Sequence, residues 1–401
     1  LRLGWTFSRE RDKVARQVKD LLLSNFGVLR IGGSPVVNME TIFAIGSNGS
    51  AQLGIGHQED VSVPKPVLFH PQAPSRGISK IAAGGNHTLV LRESGDLYWS
   101  GDPSVGACGL RSESNVAAFQ PIRLVHDGSM DEIGTPALIA ATWEASFVVS
   151  RDDAGRRTKV FSFGTGMKGE LGAGELIVRT PTASKIQDFP PLGTEVVDIA
   201  ASMGHVVTVL DNGDAYGWGN CRKSQVGEPA GVVHQPRKIT DIGFKVSRVV
   251  CTKEATCFFG PPDSGQIRVM GSDKWGILSN CPSTAPPWSD VGAGWGAVYI
   301  LKQDGSLQAW GRDDHGQLPP PNMPALKQIA IGSEHAVALS QDGDVLAWGW
   351  GEHGNCGPQV ENNDVKGRWN MIASSKFIPA DSQVTRIGAG CATSWICIGR
   401  R

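Results

Sequence analysis

The chain has 401 residues with 38 basic and 39 acidic side chains, and a formal net charge of −1 argues against a general nucleic-acid binder. Its 51 glycines and 24 prolines suit a turn-dense chain, and no apolar run reaches the ~18 residues of a membrane-spanning helix. The eight cysteines are scattered without a Cys-x-x-Cys pair, and they read as small apolar core residues in a reducing compartment.

Residues 1–38 carry seven Lys or Arg against three acids, with an amphipathic pattern through Val14, Val18, Leu21 and Leu22. No secretory signal pattern opens the chain. We expect 1–38 to be a non-propeller extension, native or read through from upstream of Met39, and 39–401 to be the folded domain. The expected location is the cytoplasm, and also the nucleus.

From Ile42 the sequence is periodic. "IFAIGSNGSAQLGIG" (42–56) reads as a strand that ends in a glycine loop. A longer frame follows: an alternating run, a polar turn, a second alternating run to a glycine, and a Gly-rich loop. It starts at Ile81, Ile139, Ile199, Val249, Val291, Ile329 and Ile387, at spacings of 58, 60, 50, 42, 38 and 58 residues. Period-two alternation predicts half-buried strands, and turns such as "QDGD" predict two-residue type I′ hairpins. A glycine-punctuated β repeat of this length means a propeller. The last copy stops after two strands at Arg401, while 42–56 is a third strand without its first two. Joining the halves closes the ring and removes its open edges. The expectation is an all-β, seven-bladed propeller of four-stranded blades, with the strand at 42–45 paired to 393–398. Pro64, Pro66, Pro121, Pro181 and Pro236 should lie on outer strands, where a missing donor is tolerated.

Local motifs give no catalytic, cofactor or metal site. "GTGMKG" (164–169) matches a dinucleotide fingerprint, but loop and strand follow it instead of the required helix. Asn48-Gly-Ser and Asn86-His-Thr are chance sequons. His87, His205 and His335 occupy equivalent positions in three blades, where the other four carry Ala145, Ala255, Ala297 and Thr393. They read as structural, each bonding backbone in its own blade.

In a four-stranded meander the strand 1–2 and 3–4 turns share one face. That face carries Trp143, Trp275, Trp295 and Trp350 among mixed charges, and tryptophan is enriched at interface hot spots. Trp218, Trp310 and Trp348, each before a glycine, should instead pack between blades. The candidate partner-binding residues are Trp143, Glu144, Glu334, His335, Trp350, Glu352, His353 and Asn355, with Trp143 as apolar anchor.

The frame "IAAGGNHTLVL…GDLYWSG" and its copies resemble the family named after the regulator of chromosome condensation, over 39–401. "FAIGSNGSAQLGIGHQED", "WGWGEHGNCGPQ" (348–359) and "GCATSWI" (390–396) look like its fungal alpha-tubulin-suppressor, or killer-toxin-insensitivity, branch. Blade four departs from the frame, with Met270 in place of the tryptophan. That resemblance implies a non-catalytic propeller that pairs with a small CSL-type zinc-finger protein. The pair would support Elongator-dependent modification of wobble uridines in tRNA and diphthamide formation, with no direct nucleic-acid or membrane contact. The alternative the wider family implies is nucleotide exchange on a small GTPase, or chromatin binding.

Overall fold

The computed structural model describes residues 40–71, 77–109, 116–122 and 133–401. The expected extension 1–38 lies outside them. Seven antiparallel sheets follow one another around a ring. Blade 1 spans 78–121, blade 2 135–185, blade 3 196–238, blade 4 248–271, blade 5 288–311 and blade 6 326–374. Blade 7 combines Ser382–Ala389 and Thr393–Arg400 with Thr41–Gly46 and Val61–Pro66 from the other end of the chain.

The closure pairs the expected strands. Thr41 pairs with Ile398 and Gly46 with Thr393, without a shift between them. Trp395 and Ile396 on the joining strand are buried. All five named prolines lie on outer strands: Val61–Pro66, Val116–Pro121, Arg179–Lys185 and Gly231–Lys238. In blades 4 and 5 three strands are ladder-bonded and irregular chain follows the third. The reason is in the sequence: Pro282, Pro286 and Pro287 follow one, and Pro319, Pro320, Pro321 and Pro324 the other. Each removes a ladder donor.

Two local readings need correction. The second strands are not half-buried: His87–Arg92, His205–Leu210 and His335–Ser340 are buried at every position. Blades stack face to face, so both sides of an inner strand meet apolar neighbours. The polar turns are also not type I′, which needs two residues at positive φ. In the four shortest of these turns the glycine alone takes positive φ: Gly95, Gly213, Gly305 and Gly343. Each glycine N–H donates to the carbonyl three residues back, as Gly343 does to Ser340. This is a tight turn followed by a glycine bulge, which accommodates asparagine or aspartate in ordinary backbone.

The tryptophans before glycine lie between blades, as expected. Trp218 Nε1 donates to Glu170 O, Trp310 Nε1 to Ile277 O and Trp348 Nε1 to Gln317 O, each carbonyl belonging to the preceding blade's 3–4 loop. Trp218 and Trp348 are fully buried, so each bond satisfies an indole N–H that would be costly to leave unpaired.

Candidate functional site: one face of the ring

The glycine that ends each third strand builds the face. Gly46, Gly101, Gly164, Gly219, Gly271, Gly311 and Gly349 have φ between +101° and +124°. A β-carbon on any of them would lie 2.2–2.7 Å from the carbonyl oxygen of its own blade's 1–2 turn. That same oxygen accepts the N–H of the next residue in all seven blades: Thr165 to Glu144 O, Trp350 to Glu334 O, and so on. The two turn classes are therefore clamped side by side, and one face carries both.

Turns of adjacent blades are also tied to one another. Gly85 N donates to Trp143 O, Lys253 N to Trp295 O, Trp295 N to Ser333 O, and Ser333 N to Gly390 O. The innermost strands enclose a channel of about 360 Å³, lined by both Trp143 and Trp295. These two come from blades 2 and 5, on opposite sides of the ring, yet their ring centroids are 5.8 Å apart. Together they span the channel mouth on this face.

The three histidines do something other than expected. Instead of bonding backbone in their own blades, His87 Nε2 meets Ser146 Oγ, His205 Nε2 meets Thr256 Oγ1, and His335 Nε2 meets Ser394 Oγ, all at 2.9 Å and all in the following blade. Ser146 Oγ donates to Ala107 O and Ser394 Oγ to Asn355 O. A hydroxyl has one proton, so His87 and His335 must be the donors through Nε2–H, in the neutral form. Burial lowers all three imidazoles to about 4. They are rivets between blades.

The eight candidate residues separate into three groups. His335 and Asn355 are inside the protein and offer no surface. Asn355 Nδ2 donates to Trp350 O, which shapes the 3–4 loop of blade 6 from within. Glu334, Trp350, Glu352 and His353 cluster on blade 6. Glu334 is buried and bonded to Arg312, and it accepts Gln317 Nε2 at 2.9 Å, so its charge is already neutralised locally. Glu352 is exposed. His353 Nδ1 lies 2.6 Å from Asp60 of blade 7, and its ring stands edge-on to Trp350 at 5.4 Å. Trp143 and Glu144 are on blade 2, and Trp143 reaches toward blade 6 through Trp295, whose backbone N–H donates to Ser333 O. Asp314 joins the Arg312 group: burial opposes its charge, but hydrogen bonds from Arg312 and Gln317 outweigh this and lower the carboxyl to about 2.

The candidate set omits a cleft of about 240 Å³ between blades 4 and 5, bordered by Trp275, Trp295, Lys253, Lys274 and Arg312. Trp275 is 45% exposed, with φ +66°. A bulky residue in that region costs ~1–3 kcal/mol. The signal was present in the sequence, since "GSDKWGIL" departs from the glycine loop of the other blades. Among the described residues no three His, Cys, Asp or Glu side chains are grouped as metal ligands. All eight cysteines are free thiols.

A family model described as an RCC1-like domain matches residues 41–396. This chain belongs to the RCC1-like family. An RCC1 repeat-containing protein of Schizosaccharomyces pombe is 31% identical over 370 residues, covering 89% of this chain and 98% of that protein. A mouse protein named secretion-regulating guanine nucleotide exchange factor is 26% identical, and the alignment spans 69% of this RCC1-like chain and 61% of the mouse protein. Among solved structures, Saccharomyces cerevisiae Prp20p superposes with a TM-score of 0.74 at 22% identity, covering 91% of this chain and 92% of that one. At that identity the likeness establishes the fold.

Proposed function

We propose that this RCC1-like propeller is a non-catalytic docking platform for a small protein partner, which it engages through the face of the 1–2 and 3–4 turns. The partner proposed is a small CSL-type metal-binding protein, in a heterodimer that supports tRNA wobble-uridine modification through Elongator and diphthamide formation. The observation that carries this reading is a convergence. The three stretches most like the tubulin-suppressor branch lie far apart in sequence but meet at the boundary of blades 6 and 7. His353 of the second touches Asp60 of the first, and Ser394 of the third donates to Asn355 O of the second. Framework bonding explains Asn355 and Ser394, but it leaves exposed Glu352 and the edge of Trp350 without a structural role.

The test is calorimetry of the full chain with a purified CSL-type protein. A complex with a one-to-one ratio is expected. Trp143→Ala should weaken it by about 2 kcal/mol or more if that indole is an anchor. Glu352→Ala combined with His353→Ala should weaken it less, because rim charges contribute little. Absence of a complex would overturn the partner assignment. A second reading, nucleotide exchange on a small GTPase, draws on the mouse relative's name. Stimulated release of labelled GDP from a GTPase panel would favour it.

A further inference from the structure

We propose that the cleft between Trp275 and Trp295 binds an acidic peptide segment. Lys253 and Lys274 would hold its carboxylate, and the neighbouring apolar side chain would lie between the two indoles. This builds on the docking-platform reading and names the chemistry of the segment that docks.

The cleft has three cations, and they are not equivalent. Arg312 is already committed: it pairs with Glu334 and Asp314, and its guanidinium stacks 4.9 Å from the Trp275 ring centre. It forms part of the wall. Lys253 and Lys274 are exposed, and among the described residues no carboxylate is within ion-pair distance of either. Each ammonium sits beside an indole instead, Lys253 5.5 Å from Trp295 and Lys274 5.6 Å from Trp275. One other carboxylate, Glu254, lines the cleft, against two uncommitted lysines.

An incoming carboxylate would therefore find two donors and a positive rim. The flanking indoles exclude water, which strengthens an ion pair made there. They also present flat apolar walls for the residue next to the acid. The left-handed backbone at Trp275 holds its indole at the rim, in a conformation that glycine would adopt without strain. Strain retained at an exposed aromatic points to a use other than folding. A nucleic acid suits the surface less well: every one of its phosphates is charged, and beyond the two lysines this face presents Asp313, Asp314 and Glu352, whereas a peptide segment has to place only one carboxylate in the cleft.

The experiment uses the full chain and a blocked hexapeptide alternating glutamate with leucine, followed by indole fluorescence and calorimetry. The glutamate peptide should bind and change the indole emission, and its glutamine counterpart should bind at least roughly tenfold more weakly. Affinity should fall as salt rises. Lys253→Glu with Lys274→Glu should cost roughly tenfold or more at unchanged Tm. Trp275→Gly should keep or raise Tm while weakening the peptide. The proposal is overturned by equal binding of both peptides, by no acid-dependent binding at millimolar peptide, or by equal affinity for a thymidine hexanucleotide. It is also overturned if the cleft closes a homodimer that the peptide cannot dissociate. If the double lysine variant captures the CSL-type protein at wild-type affinity, the cleft assignment fails and the platform reading stands. If the acidic peptide binds but no CSL-type protein does, the reverse holds.

Discussion

His335 Nε2 and Ser394 Oγ are 2.9 Å apart across the boundary between blades 6 and 7. The same joint recurs from His87 to Ser146 and from His205 to Thr256. Each imidazole is buried, and burial holds it at about 4, against an ordinary 6.5.

This fixes a pH dependence. Above pH 6.5 the histidines are neutral in both folded and unfolded chains and contribute no slope. Between 6.5 and 4 the unfolded chain takes up protons that the folded one refuses, so stability falls as pH falls, by up to about 3 kcal/mol per histidine. Denaturant melts between pH 7 and 4.5 should show this loss. His87→Ala should be less stable at pH 7 but lose less on acidification. An equal slope in that variant would refute the assignment.

Gly164→Ala should be far more damaging than Gly155→Ala. Both glycines have positive φ, but a β-carbon at Gly164 would lie 2.3 Å from Glu144 O, while at Gly155 nothing is within 4 Å. Gly155→Ala should cost about 1 kcal/mol, from backbone strain alone. Gly164→Ala adds a clash with backbone that must shift and so should cost several times more. Thermal melts of the two variants decide this.

The Gln317 carbonyl accepts two buried donors, Trp348 Nε1 at 2.9 Å and Tyr299 Oη at 2.7 Å. Trp348 is on blade 6, and Tyr299 and Gln317 belong to blade 5. Tyr299→Phe removes one donor with little change of shape and should cost about 1 kcal/mol. Trp348→Phe also loses packing and should cost more. The double variant leaves the carbonyl without either donor and should exceed the sum of the two, as measured by a double-mutant cycle in denaturant.

Deleting 387–401 should abolish cooperative folding. It removes the strand that pairs Thr41–Gly46 with the C-terminal half of blade 7, together with buried Trp395 and Ile396. Each such side chain is worth ~2–5 kcal/mol, and two strand edges become exposed. A soluble, cooperatively melting truncation would refute closure by the termini.

The histidine rivets have a signature in the sequence. Residue 88 aligns with 146, 206, 256, 298, 336 and 394. Ser146, Thr256 and Ser394 each follow a histidine blade, while Val206, Val298 and Ala336 each follow a blade without one. Thr88, which follows Thr393, is the exception. The signal is a pairing between neighbouring repeats, so a reading of each repeat by itself cannot find it.

The sequence by itself determined the repeat, the number of blades and which strands close the ring, because alternation, proline and the glycine after the third strand are local demands of backbone chemistry. Only the tertiary structure decided which turn residues are surface. Glu352 is exposed while Asn355, in the same loop, is fully buried. That loop curls through Gly354 and Gly357, both at positive φ, and turns one side chain outward and the other in. Likewise nothing local tells that Trp143 and Trp295 touch. Their contact exists because the ring brings opposite blades within an indole's reach across its axis, a distance set by closing seven twisted sheets and not by any one of them.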